Sequence, residues 1–215
     1  MSRVRVHNFG ISIDGFGTGE GQSLETPFGH GFGVMKWFLG TRSLQRMQGK
    51  GGGSDGIDNA FASRWAEGIG AEIMGRNKFG HQRGPWKDEA WKGWWGANPP
   101  FHTPVFVLTH HLRPSIEMEG GTTFHFLDAS PEEALAAARK AAGDLDIRIG
   151  GGVQTVRQFL QADLVDHMHL VVTPIVLGRG ERLWDGLEGV HERFDVENVA
   201  SPSGVTHLTF TRRKR

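Results

Sequence analysis

The chain has 215 residues, with 24 Lys and Arg balancing 24 Asp and Glu for a formal net charge of zero, and it contains no Cys. That length suits one domain able to bury its own core, and the charge balance gives no general pull toward nucleic acid or an anionic membrane. Without Cys there are no disulfides, no thiolate catalysis and no Cys-ligated zinc, and no apolar run approaches the ~18 residues that span a bilayer.

Residues 3–13 alternate with β-branched side chains and predict a first strand, with no apolar core of a signal peptide before it. A Gly-rich stretch follows, then a short helix expected over Met35–Met47. Residues 49–56 are mostly Gly. They follow no strand and lack a Gly-Lys-Ser/Thr ending, so they are expected to be a flexible loop and not a phosphate loop. Asp58 is expected to cap a helix carrying Phe61, Trp65 and Ile69, with Gly70 ending it and residues 71–74 forming a short strand. The Trp-rich connection through Trp86, Trp91, Trp94 and Trp95 is expected to cover the core edge more than to act as a lid.

Val105–Thr109 and Thr122–Leu127 are expected strands. Ser130-Pro131-Glu132-Glu133 is a strong helix start, with a capping hydroxyl, Pro in the first turn and acids at the positive dipole end. That helix should stop at Gly143. Asp146–Ile149 predicts a strand running into Gly150-Gly151-Gly152, with a helix from Val153 to about Ala162. Asp166–Thr173 predicts another strand, and Ser201-Pro202-Ser203-Gly204 joins a terminal hairpin. The basic run Arg212–Arg215 is expected to be a solvated strand end. Strands alternating with helices imply an α/β fold with a mostly parallel central sheet, finished by an antiparallel hairpin.

Three strand-to-helix or strand-to-loop junctions carry the chemistry. At Gly150, Gly151 and Gly152, missing side chains would let a pyrophosphate approach the backbone. The free N–H groups of Val153, Gln154 and Thr155 at the helix start would then stabilise its charge. Thr155 stands where a Rossmann fingerprint needs its third Gly, and no acid follows at the ribose distance, so a Rossmann dehydrogenase is disfavoured. At Gly75, Arg76, Asn77 and Lys78, cations in a first helical turn are locally unfavourable until an anion arrives. At Thr109, His110 and His111, a hydroxyl and two imidazoles suit a 2′-phosphate better than a bare ribose. Consecutive strand residues point to opposite faces, so His110 and His111 are not expected to chelate one metal ion, and His167 and His169 are expected to lie on an ordinary strand face.

Taken in order, Ser12-Ile13-Asp14-Gly15, Met74-Gly75-Arg76, Val107-Leu108-Thr109-His110, Ile149-Gly150-Gly151-Gly152 and Thr173–Gly180 resemble the dihydrofolate-reductase superfamily. The chain is most similar to the reductase domain of the bacterial riboflavin-pathway deaminase-reductase, without the zinc-binding deaminase half. The resemblance implies a three-layer α/β/α sandwich and an NADPH-dependent oxidoreductase passing a hydride to a small heterocyclic or carbonyl substrate, pterin-like or riboflavin-precursor-like. A nucleotide-binding protein of the same fold without turnover is the alternative. Gly75, Arg76, Asn77, Thr109, His110 and His111 would surround the adenosine phosphate, and Gly150, Gly151, Gly152, Val153, Gln154 and Thr155 the pyrophosphate. Asp14 and Glu181 are the candidate catalytic residues on the substrate side, Asp14 as a proton donor raised by burial or as the holder of a water. Phe16 follows Gly15 where riboflavin reductases usually carry a Lys that meets substrate phosphate, which counts against a phosphorylated ribityl substrate. The expectation is a cytoplasmic single domain over residues 1–215, a homodimer by resemblance, with a small-molecule substrate and no metal, nucleic-acid or membrane partner.

Overall fold

The computed structural model describes residues 2–214; Met1 and the last Arg of the basic tail, Arg215, lie outside the described residues. Among the described residues eleven strands form: β1 (Val4–Ser12), β2 (Phe16–Thr18), β3 (Ile69–Gly75), β4 (Pro104–Leu108), β5 (Ile116–Glu117), β6 (Thr123–Leu127), β7 (Asp146–Gly151), β8 (His167–Thr173), β9 (Glu181–Arg182), β10 (Phe194–Ala200) and β11 (Thr206–Arg212). The helices are α1 (Lys36–Leu39), α2 (Arg42–Met47), α3 (Ile57–Ala62), α4 (Arg76–Phe79), α5 (Pro131–Ala142) and α6 (Val153–Gln161). Nine strands make one sheet in the order β10-β11-β8-β1-β7-β3-β4-β6-β5, and β2 pairs with β9 apart from it. The β3–β4, β3–β7 and β4–β6 pairs are parallel, whereas the terminal hairpin β10–β11 and its pairing with β8 are antiparallel. This is the expected α/β sandwich of dihydrofolate-reductase type. Among the described residues no helix is long and apolar enough to cross a membrane.

The chain gathers into two compact units. Unit 1 joins the N-terminal residues through Arg5 to Gly68–Val165; unit 2 joins Val6–Glu67 to the described residues from Asp166 onward. In unit 1, α5 packs on β3, β4 and β7, burying Ala134, Leu135, Ala138 and Ala142. It starts as expected. The Ser130 hydroxyl accepts the Glu133 N–H, the Glu133 carboxylate accepts the Ser130 N–H, and Pro131 opens the first turn. Helix α6 buries Val153, Val156, Phe159 and Leu160, and Ile73, Val105, Val107, Ile147 and Ile149 have no exposed surface in the sheet. Each fully buried aliphatic side chain of this kind contributes about 1.5–3 kcal/mol.

Two expectations fail around β3. The helix carrying Phe61 stops at Ala62, and both Ile69 and Gly70 lie inside the strand. A Cβ at Gly70 would sit 2.8 Å from the Ala142 carbonyl oxygen, so this Gly admits the end of α5 and does not end a helix. The single helix expected over Met35–Met47 is broken at Gly40-Thr41, where the Thr41 hydroxyl accepts the Leu44 N–H and starts α2 anew.

In unit 2, Gly56 and not Asp58 precedes α3. The Asp58 carboxylate instead accepts His207 Nε2 at 2.9 Å, His207 Nδ1 meets His169 Nε2 at 3.0 Å, and His169 Nδ1 accepts the Asn8 backbone N–H at 3.2 Å. Phe61 stacks on both imidazoles, 4.5 and 4.3 Å between centroids, and Trp37 stands perpendicular to them. His169 and His207 are each 1% exposed. Burial, then the neighbouring His7, His207 and His167, lowers the His169 pKa to about 2.

A base whose pKa falls on folding stabilises the native state fully above its unfolded value of about 6.5, and that contribution is lost as pH falls below it. Equilibrium denaturation between pH 6 and 4.5 should therefore show stability falling with acid. His169→Gln, although less stable throughout, should remove about 1.4 kcal/mol per pH unit from that slope.

Candidate active site

In unit 1, three chain reversals follow the carboxyl ends of parallel strands. At the first, Gly75 is extended and precedes the single turn α4, which begins at Arg76. A Cβ at Gly75 would overlap the Thr155 hydroxyl, so this turn and the start of α6 touch, and only glycine fits between them. At the second, β7 runs into Gly150, Gly151 at φ 109° and Gly152, with a cis peptide between the last two. Gly152 precedes α6 and offers no capping side chain to the first helical N–H groups, those of Val153, Gln154 and Thr155. A Cβ at Gly150 would overlap Glu72 and approach Lys78 Nζ to 2.5 Å.

That Glu72 is 1% exposed on β3 and holds two cations, Arg148 on β7 and Lys78 at 2.9 Å. Burial lowers the Lys78 pKa, Glu72 opposes the shift, and Arg148 adds to it. Lys78 thus has a buried acid as partner, an anchor that sequence reasoning missed because Glu72 sits within an apolar strand.

At the third reversal, after β4, the Thr109 hydroxyl accepts the His111 N–H at 3.1 Å, and the Thr109 N–H donates to Leu127 O. His110 is exposed and bonded to Asp128 at 2.8 Å, and the His111 carbonyl accepts Trp86 Nε1 at 2.7 Å. The Trp-rich connection therefore reaches this reversal as well as covering the core edge. The Trp86 ring lies 3.8 Å from the Arg76 guanidinium and 4.9 Å from that of Arg113. Arg76 Nε and Nη2 are buried without a hydrogen-bond partner. Desolvation first, then Arg83 and Arg113, lowers the Arg76 pKa. Two guanidiniums on one tryptophan, with Arg83 adding a like charge beside Arg76 and two nitrogens of Arg76 unsatisfied, make a setting that an anion would stabilise. Arg83, Trp86 and Arg113 were not singled out from sequence as ligands; only the density of Trp signalled the segment.

In unit 2, Asp14 sits in the turn after β1. Its carboxylate accepts the Ser12 hydroxyl at 2.6 Å, the Leu177 N–H at 3.1 Å and the Gly178 N–H at 2.7 Å. The Ser12 bond leads in lowering its pKa to about 2, with the backbone N–H groups of Gly178 and Leu177 acting in the same direction. Burial does not raise this acid toward neutrality, contrary to the expectation for a direct proton donor. At neutral pH Asp14 is a carboxylate that ties the turn after β1 to the loop after β8. Glu181 lies on β9, whose pairing with β2 sets Thr18 opposite Glu181 and Phe16 opposite Arg182. Both strands are too short for a periodicity signal.

A model of the RibD C-terminal domain matches residues 5–206. The chain belongs to the RibD C-terminal domain family. Among curated proteins none matches. Among solved structures, a candidate riboflavin biosynthesis protein from Shewanella sp. PV-4 is 21% identical over the whole of both chains, with a TM-score of 0.61. A pyrimidine reductase-like protein from Corynebacterium diphtheriae is 15% identical over all of this chain and 93% of its own, with a TM-score of 0.53. At these identities the structures speak for the fold. A RibD C-terminal domain is a reductase-like domain, and a pyridine nucleotide is the cofactor typical of its fold.

Gly150→Ala should lower stability by about 1–3 kcal/mol in thermal or chemical denaturation, because the buried Glu72 carboxylate, held by Arg148, would have to shift. Gly49→Ala, where nothing lies within 4 Å, should cost less than that despite its positive φ of 69°.

Proposed function

We propose that the chain is an NADPH-dependent reductase, a single domain over residues 1–215, that delivers hydride to a small heterocyclic or carbonyl substrate. The observation carrying this reading is the anion-ready end of unit 1. There, α6 starts behind a glycine turn with no capping side chain, beside an arginine with unsatisfied, buried nitrogens. These residues fit a phosphorylated dinucleotide. Gly150, Gly151 and Gly152 with the N–H groups of Val153, Gln154 and Thr155 would hold the pyrophosphate. Gly75, Arg76 and Asn77, with Thr109, His110 and His111, would hold the adenosine phosphate, where Arg83 and Arg113 add positive charge. The bound nucleotide supplies the hydride.

What the chain contributes is position and the handling of a proton. Asp14, ionised and held by three donors, acts as a positioning residue for the loops after β1 and β8. The proton for the product would come from water near these loops, with Glu181 of β9 as the carboxylate that would orient it. His110, paired with Asp128, is the weakest of the proposed phosphate ligands, because that acid opposes a nearby anion.

Titrating the protein with each reduced nicotinamide nucleotide and following tryptophan fluorescence tests the grip. Arg76→Ala should weaken NADPH binding about tenfold or more and leave NADH within about twofold, since a charge-assisted bond to phosphate contributes about 1.5–3 kcal/mol. Equal loss for both nucleotides would remove Arg76 from the phosphate. Asp14→Asn should lower kcat roughly tenfold by loosening its loop, without moving the pH profile between 5 and 8. A lost pH inflection in that range would make Asp14 the proton donor after all.

A further inference from the structure

Trp86 touches two of the three reversals of unit 1 at once. Its ring centroid lies 3.8 Å from the Arg76 guanidinium at the start of α4. Its Nε1–H donates to the His111 carbonyl, beyond the end of β4, at 2.7 Å. The ring is half-buried and meets Phe79 and Phe126 edge-on, with 6.0 and 5.6 Å between centroids.

No helix or strand presents this indole. It is carried by an irregular segment closed on one buried amide. Gln82, 8% exposed, accepts the Lys87 and Asp88 N–H groups at 3.0 and 2.8 Å and donates to Asp88 O at 3.1 Å. Residues 83–85 are exposed, so hydrogen bonds to Gln82 and not an apolar core shape this loop. From the other direction, Arg113 donates to Trp91 O at 3.1 Å and to Glu89 O, with its guanidinium 4.9 Å from the Trp86 ring. These bonds set where the indole stands before any ligand arrives.

Arg76 needs such a support. Desolvation and the like charges of Arg83 and Arg113 weigh against a guanidinium here, and its Nε and Nη2 are buried without a hydrogen bond. An arginine so placed is better solvated when it turns out to water, and holding it in place also costs rotamer freedom. The π face opposes both tendencies, because it attracts the cation and stacks on its plane without using its N–H donors. The indole N–H meanwhile holds the main chain of the reversal that carries Thr109, His110 and His111.

From this we infer that Trp86 is a positioning residue for nucleotide choice, presetting Arg76 and the reversal after β4 around one phosphate so that NADPH is preferred to NADH. The inference rests on the reductase reading above and adds to it a residue that acts through its neighbours.

Calorimetric titration of Trp86→Leu with each reduced nucleotide tests it, since the substitution itself alters indole fluorescence. NADPH should bind about fivefold more weakly, and NADH should stay within about twofold of wild type. Trp86→Phe keeps a ring but not the N–H and should fall between, about threefold weaker for NADPH alone. Should the leucine variant not fold, the phenylalanine variant carries the test, and unaltered NADPH binding by it would overturn the assignment. On an Arg76→Ala background, adding Trp86→Leu should cost less than about twofold, because most of its effect passes through the guanidinium. Equal weakening toward both nucleotides, or a full loss persisting on that background, would make the ring a packing element and overturn this inference alone. A wild-type protein that binds both nucleotides equally well has no phosphate preference to set, and the inference falls together with the phosphate site. Binding of neither nucleotide overturns the reductase reading beneath it.

Discussion

Close approach between backbone turns governs unit 1. The parallel pairing of β3 with β7 delivers two strand ends side by side, and the chain must reverse twice in a space that admits no Cβ. Gly75 lies against Thr155, and Gly150 against the Glu72–Lys78 pair. Beside these turns α6 starts without a capping side chain, and the first residue of α4, Arg76, keeps two buried nitrogens without a hydrogen bond. Both turns thus answer to one steric condition. A larger residue at either turn would push the elements apart and bury the amides less favourably.

The buried ion cluster beneath Gly150 shows how this geometry is held. Glu72 bridges Lys78 and Arg148, so α4, β3 and β7 share one carboxylate. Two basic side chains on one buried acid stand behind the glycine turn. Such clusters contribute little net stability once desolvation is counted, but losing one partner leaves a charge stranded. Their value here lies in fixing α4 against the glycine turn.

Sequence patterns revealed elements where a single local rule dominated. The start of α5 was legible because Ser130, Pro131 and Glu133 each obey capping chemistry that needs no tertiary partner. The glycine junction after β7 was legible for a similar reason: a hydrophobic strand meets three residues that only a tight turn favours. The family resemblance also came from short motifs in order, and the match over residues 5–206 bears it out. Helical spacing misled at Phe61, Trp65 and Ile69, because apolar residues recurred at the right interval across a helix end, a turn and a strand start. Asp58 looked like a cap, since an acid before an apolar run usually is one, yet its partner His207 lies 149 residues away. Arg83, Trp86 and Arg113 were invisible for the same reason. Their meaning depends on which side of a long irregular segment meets Arg76, and no periodicity encodes that.

The histidine row in unit 2 has a direction. A carboxylate can only accept, so Asp58 puts the hydrogen of His207 on Nε2 and leaves its Nδ1 to accept from His169 Nε2. With one hydrogen on each ring, His169 Nδ1 is then left to accept the Asn8 N–H. Both tautomers are therefore dictated from one end, and the two ring dipoles add. A side chain at position 58 able only to donate would demand the opposite tautomer in both rings, and His169 Nδ1–H would then turn from the Asn8 main-chain amide to the Asn8 side-chain oxygen, 3.0 Å away.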